Sequence, residues 1–128
     1  SSETERLAVY ADRLYDRSNR AEHGLERLFA TGGSVGFYAG GYEYGFRMEG
    51  RKIRYFDGDV YKHGMTWLAG LPPIEAPEAL QHDPVDHLVI FKPHHFDAIV
   101  DRLRPMNLST TQFWSIASLR EAERLTER

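Results

Sequence analysis

Three clusters in this 128-residue chain combine residue types and spacings suited to chemistry. The first is Phe37-Tyr38-Ala39-Gly40-Gly41-Tyr42, a glycine turn behind a short β-prone run. Glycines at a strand-to-helix turn let backbone amides approach a phosphate, so Gly40, Gly41 and Tyr42 are candidate cofactor-binding positions. Asp57 ends the next β-prone run, near the roughly 20-residue offset at which a ribose-binding carboxylate follows such a turn. The full G-x-G-x-x-G pattern is absent. Ala39 and Gly41 stand where its first two glycines would be, and position 44 is Tyr. A turn that packs tightly and binds nothing is therefore the competing reading.

The second cluster is Asp57-Gly58-Asp59-Val60-Tyr61-Lys62-His63-Gly64. Asp57 and Asp59 are oxygen donors for a ribose or a metal, and Lys62 is a cation for a phosphate. The same residues also suit an ordinary solvated turn. The third cluster, Lys92-Pro93-His94-His95, follows the most apolar run of the chain. Lys92 suits an anion, and His94 or His95 suits acid–base work near neutral pH. Adjacent histidines project differently, so at most one faces a cleft. His82-Asp83-Pro84-Val85-Asp86-His87 superficially resembles a metal cluster, but it precedes a strand and belongs at the opposite sheet edge. No metal site is expected, and no cofactor can be named. There is no phosphate-binding loop of the G-x-x-x-x-G-K type, no assignable Ser/His/Asp triad and no complete catalytic site.

The elements that must position these groups follow from periodicity. Residues 4 to about 30 read as helix, with Leu7, Tyr10 and Leu14 on one face and Ala21, Leu25 and Leu28 resuming the phase. Asn19 and Glu22 have capping-box spacing, so two helices are an alternative. Strands are expected at 34–38, 52–56, 87–91 and 110–116, with a short one near 71–74. Helices are expected at 42–49, 76–80, 95–103 and 118–128. Alternating strands and helices imply parallel pairing with right-handed crossovers. The fold class is α/β: a small open three-layer Rossmann-like parallel sheet of about four strands, with flanking helices and N- and C-terminal helices. The organisation reads as one domain, with a helical segment at 1–33, a core at 34–117 and a helix at 118–128.

Composition bounds the function. Hydrophobic residues make up 41%, enough for a core, and 16 basic against 19 acidic residues leave a net charge of −3. That balance argues against nucleic acid as a partner. The absence of cysteine removes disulfides, thiolate metal sites and thiol nucleophiles. No apolar run reaches the roughly 18 residues of a membrane span, so no membrane partner and a cytoplasmic location are expected. The first residue is Ser, and the chain is read as part of a larger protein.

Several segments together carry a resemblance: 35–41, 55–64, Leu71-Pro72-Pro73-Ile74-Glu75-Ala76-Pro77-Glu78-Ala79-Leu80, and 85–91. They resemble the C-terminal Rossmann-like domain of sugar C-methyltransferases, and related small domains of carbohydrate-modifying enzymes. The Asp57–Gly64 turn and the Ala76–Leu80 segment are the more specific parts. The resemblance implies an accessory or scaffold domain beside a transferase, whose methyl donor and zinc belong to other domains. The turn after the third strand departs from that family, which usually carries Trp-Asn where this chain has Lys92-Pro93-His94-His95. The expected partners are a nucleotide or nucleotide-sugar and the remainder of a larger polypeptide or a partner protein. Two alternatives stand beside it: a small enzyme acting on a sugar or phosphorylated substrate with a His base, and a protein-interaction module docking through its terminal helices.

Overall fold

The run Val-Gly-Phe-Tyr forms strand β1 (Val35–Tyr38), and all four residues are buried. In a computed structural model, which describes residues 2–48, 50–106 and 108–126, β1 lies at the centre of a five-stranded sheet. Its neighbours are β2 (Ile53–Phe56) and β4 (His87–Ile90), with β3 (Ile74–Glu75) and β5 (Gln112–Ser115) at the edges. The order is β3-β2-β1-β4-β5 and every pairing is parallel. Val35 pairs with Ile53 on one side and His87 on the other. Continuously apolar strands are what a parallel sheet covered on both faces requires. The order and parallel pairing of the strands make this an α/β, Rossmann-like fold, with the three expected central strands adjacent.

The sheet has five strands rather than about four, because Ile74 and Glu75 pair with Tyr55 and Phe56. Pro72 and Pro73 lack amide protons, so the ladder cannot extend before Ile74. This two-residue strand is reinforced by Arg54, whose Nε and Nη2 each donate to Glu75 at 2.9 Å. Arg54 Nη1 donates to the Asp83 carbonyl at 2.6 Å, and the guanidinium lies 4.9 Å from the Phe56 ring centre.

In-register pairing sorts the side chains by face. Tyr38, Phe56, Leu88 and Ile90 point to one face and pack with Leu80, Val85, Leu108 and two residues of α3 (Phe96–Leu103), Val100 and Leu103. Burying each such aliphatic side chain contributes about 1.5–3 kcal/mol before entropy is counted. Phe37 and Tyr55 point to the other face, where α2 (Tyr42–Arg47) adds Tyr42 and Tyr44. The expected helix 42–49 ends at Arg47, and Glu49 lies outside the described residues. The Ala76–Leu80 segment is a 3-10 turn over Pro77–Gln81.

The chain divides into two compact units, Ser1–Thr31 with Ala117–Arg128, and Gly32–Ile116. In the first, α1 (Glu3–Ala30) is a single helix capped by the Ser2 hydroxyl, which accepts from the Glu5 amide at 3.1 Å. No break occurs at Asn19; Arg20 reaches back to Asp16 at 4.0 Å instead. α4 (Ile116–Thr126) begins two residues earlier than expected, and residues 127 and 128 lie outside the described residues. The two helices approach at Gly24, where a Cβ would lie 2.9 Å from the Leu119 carbonyl oxygen, and Arg27 pairs with Glu123 at 3.0 Å. Burial on α1 is confined to its second half, at Ala21, Gly24, Leu25 and Leu28. The expected apolar stripe is thus split: Leu7, Tyr10 and Leu14 are 61%, 61% and 47% exposed. No helix among the described residues is long and apolar enough to cross a membrane.

Gly41 and Gly64 share a φ of +83°, but only Gly41 is enclosed. A Cβ there would lie 2.5 Å from Phe91 ring atoms and 2.8 Å from Phe37, whereas nothing lies within 4 Å at Gly64. Gly64→Ala is expected to cost about 1–2 kcal/mol from backbone strain alone. Gly41→Ala is expected to cost a further 1–3 kcal/mol or so from overpacking. Equal urea midpoints for the two variants would show that the Phe91 contact carries no energy.

Candidate functional site at the C-terminal edge of the sheet

Parallel strands deliver their following loops to one edge. The loops after β1, β2 and β4 therefore bring together Gly40, Gly41 and Tyr42; Asp57, Asp59 and Lys62; and Lys92, His94 and His95. The strand order reverses between β1 and β4, the place where open α/β sheets form a ligand crevice. Here that crevice is occupied. Phe91, one residue past β4, lies 3.1 Å from where a Gly40 Cβ would sit and closer to that of Gly41. Its ring contacts Phe37 at 4.8 Å and Tyr44 at 5.9 Å between centroids. Ala39, Gly40 and Gly41 all have positive φ, at 62°, 141° and 83°. The turn is thus a left-handed reversal closed over an aromatic ring, and its missing side chains make room for Phe91.

Asp57 is the polar hub of the second loop, with a side chain only 8% exposed. One carboxylate oxygen accepts from the Asp59 amide at 2.9 Å, and the other meets Lys62 Nζ at 3.4 Å. Its amide donates to the Glu75 carbonyl at 3.2 Å, tying the loop to β3. Its carbonyl lies 2.6 Å from His63 Nε2, which must carry the proton of that bond. Asp59 in turn accepts from the Tyr61 amide at 3.0 Å and caps a 3-10 turn over Val60–Lys62. Both carboxylates thus organise their own loop before any ligand is considered. Lys92, His94 and His95 are exposed, and no described side chain accepts from or donates to either imidazole.

Three tyrosines meet this edge. Burial raises the pKa of Tyr42, with the Asp57 charge adding to it. Burial likewise raises Tyr38, opposed by the Arg102 cation and reinforced by Asp57 and Glu78. Tyr55 is pushed up to about 12, by burial first and then Glu43 and Tyr42. All three remain protonated near neutral pH, so they are hydrogen-bond donors and not bases. The edge thus presents protonated tyrosyl hydroxyls together with two exposed imidazoles that no described side chain orients.

Arg102, Phe91 and Trp67 are the residues here that sequence reasoning missed. A Gly58 Cβ would lie 2.6 Å from Arg102 Nη1 and 3.1 Å from the Tyr38 hydroxyl. Gly58 thus lets α3 reach the β2 loop, a contact spanning 44 residues with no local signal. Trp67 stacks on Tyr42, with centroids 5.1 Å apart and planes 18° apart.

At the opposite edge, the His82–His87 segment is structural. Asp86 accepts from the Ser34 amide at 2.7 Å and hydroxyl at 3.2 Å, while Ser34 Oγ accepts from the Asp86 amide at 2.9 Å. Trp114 Nε1 donates to His87 Nδ1 at 3.1 Å, which leaves Nε2 to donate to the Gly32 carbonyl. No group of three or more metal-ligating side chains converges among the described residues.

Comparison with protein-family models, curated proteins and solved structures finds no match to this chain.

Asp57→Ala is expected to cost about 1–3 kcal/mol by stranding the loop donors it accepts from. It should also speed amide exchange across 58–64. Lys62→Met should cost under about 1 kcal/mol, because its ammonium is half exposed. Exchange unchanged in the Asp57 variant would remove it as the hub. The Ser34 bonds hold the Asp86 carboxyl below its usual 3.8. A depressed folded-state pKa supplies stability above the unfolded value, lost as pH falls through the folded one. Asp86→Asn should therefore flatten the loss of stability below about pH 4. Parallel acid limbs for parent and variant would refute the linkage.

Proposed function

We propose that this chain is an accessory, Rossmann-like domain of a carbohydrate- or nucleotide-sugar-modifying enzyme of the transferase class. Its C-terminal sheet edge would face the nucleotide or sugar-phosphate part of the ligand. The observation that carries this reading is the parallel order β3-β2-β1-β4-β5, which gathers Gly40, Asp57, Lys62 and Lys92 on one edge. The resemblance of 55–64 and 71–80 to domains of sugar C-methyltransferases supports the substrate class. Phe91 closes the crevice between β1 and β4, so the β2 loop offers the more open side. The accessory role is supported by the state of the edge among the described residues: no side chain orients His94 or His95 for proton transfer, and each tyrosine stays protonated.

Nucleotides, nucleotide-sugars and sugar phosphates titrated into labelled protein test this reading. Amide shifts are expected at 57–62 and 92, with a thermal stabilisation of about 2.7 kcal/mol at a hundredfold excess over Kd. Shifts confined to 82–87 or absent at millimolar ligand would reject the edge as a ligand site.

The second reading, a protein-interaction module, is favoured by one observation: the exposed Leu7, Tyr10 and Leu14 stripe on α1. The double variant Leu7→Ser/Leu14→Ser should unfold within about 0.5 kcal/mol of the parent, because neither side chain is buried. A larger loss in urea melts would mean the stripe serves this chain's own stability.

A further inference from the structure

The β2–β3 connection leaves an unusual surface. Trp67 is 61% exposed, although an indole is among the most apolar groups a chain can carry. It is also held in place. Phe37 packs edge-on against Tyr55 with centroids 5.8 Å apart, Tyr55 meets Tyr42 at 5.3 Å, and Tyr42 stacks on Trp67 at 5.1 Å. This column of four rings rises from the buried sheet to the surface and ends in the indole. One face of the indole lies on Tyr42, so its exposed area is the outer face and the edges. The Tyr42 hydroxyl beneath it is buried and has no hydrogen-bond partner among the described residues, so the contact open to a ligand is the indole itself.

We infer that Trp67, backed by Tyr42, is the stacking platform for the planar base of a nucleotide ligand. This rests on the proposed ligand-binding edge and names the part of the ligand that Trp67 holds. Tyr42 opens α2 directly after Gly41, and two residues before Trp67 the Met65 amide donates to the Lys62 carbonyl at 3.0 Å. The platform therefore stands beside the loop that carries Lys62. A base extends the nearly parallel Tyr42–Trp67 pair using only its π-face. Of the carboxylates that could bind a pyranose's hydroxyls, Asp57 already accepts from the Asp59 amide and Lys62.

The test uses the full chain with UMP and AMP, and with ribose 5-phosphate and glucose 1-phosphate as ligands lacking a base. Trp114→Phe leaves Trp67 as the sole indole for fluorescence. If that variant does not fold, the Trp67 indole N–H resonance of the parent protein reports the same event. Both nucleotides are expected to quench Trp67 and shift its resonance, and the sugar phosphates to do neither. Trp67→Ala is expected to weaken nucleotide binding about tenfold and leave the sugar phosphates unaffected. Nucleotide-induced amide shifts at 57–62 with an unchanged Trp67 signal, and equal affinity in Trp67→Ala, would overturn the platform while leaving the binding edge standing. Quenching by the sugar phosphates as well would overturn the assignment to a base. No response to any of the four ligands at millimolar concentration would overturn both.

Discussion

The position of β1 constrains everything else in the sheet unit. Its four residues are buried, and its backbone is bonded on both sides by parallel neighbours. At Gly36 even a methyl group has no room, since a Cβ would lie 2.8 Å from Phe56 and 3.1 Å from Leu88. A central parallel strand of this kind fixes the registers of β2 and β4 together. A slip of one residue would send Phe37 into the aliphatic face and Tyr38 into the aromatic one.

The two ends of the sheet use that register differently. At the N-terminal edge, Ser34 and Asp86 bond reciprocally and His87 is held between Trp114 and the Gly32 carbonyl. Those contacts are spent on structure. At the C-terminal edge, Asp57 ties its loop together and leaves the Lys62 ammonium, the exposed Lys92 and the Trp67 indole at the surface. The division follows from parallel pairing, which sends every crossover's outgoing loop to one edge and every returning chain to the other.

The glycine turn illustrates how one motif serves two physical purposes. Gly40 and Gly41 are needed because the backbone reverses with positive φ, as a dinucleotide-binding turn would. The space they leave is taken by Phe91, which clamps α2 to β4 through Tyr44. The aromatic face of the sheet thus closes the switch point and, through Tyr55 and Tyr42, supports an indole at the surface a short distance away.

Much of this was legible in the residues themselves. Short apolar runs at 34–38, 52–56 and 87–91 separated by crossover-length segments already implied parallel strands, whereas the short strand expected near 71–74 pairs only at Ile74–Glu75, because Pro72 and Pro73 cannot donate to the ladder. Asp57 and the glycine turn stood out because turn chemistry is local. Tertiary structure decided the rest, for reasons no local pattern carries. Asn19 has capping-box spacing, yet α1 runs straight through it, because cap signals are weak against an uninterrupted helix. The first half of α1 has the same apolar periodicity as the second, but only the second is buried. Periodicity assigns side chains to a face; whether anything covers that face depends on where distant segments lie. Phe91, Trp67 and Arg102 likewise acquire their roles from contacts with residues 25 to 54 positions away. Such contacts exist only after the parallel sheet has placed its loops on a common edge.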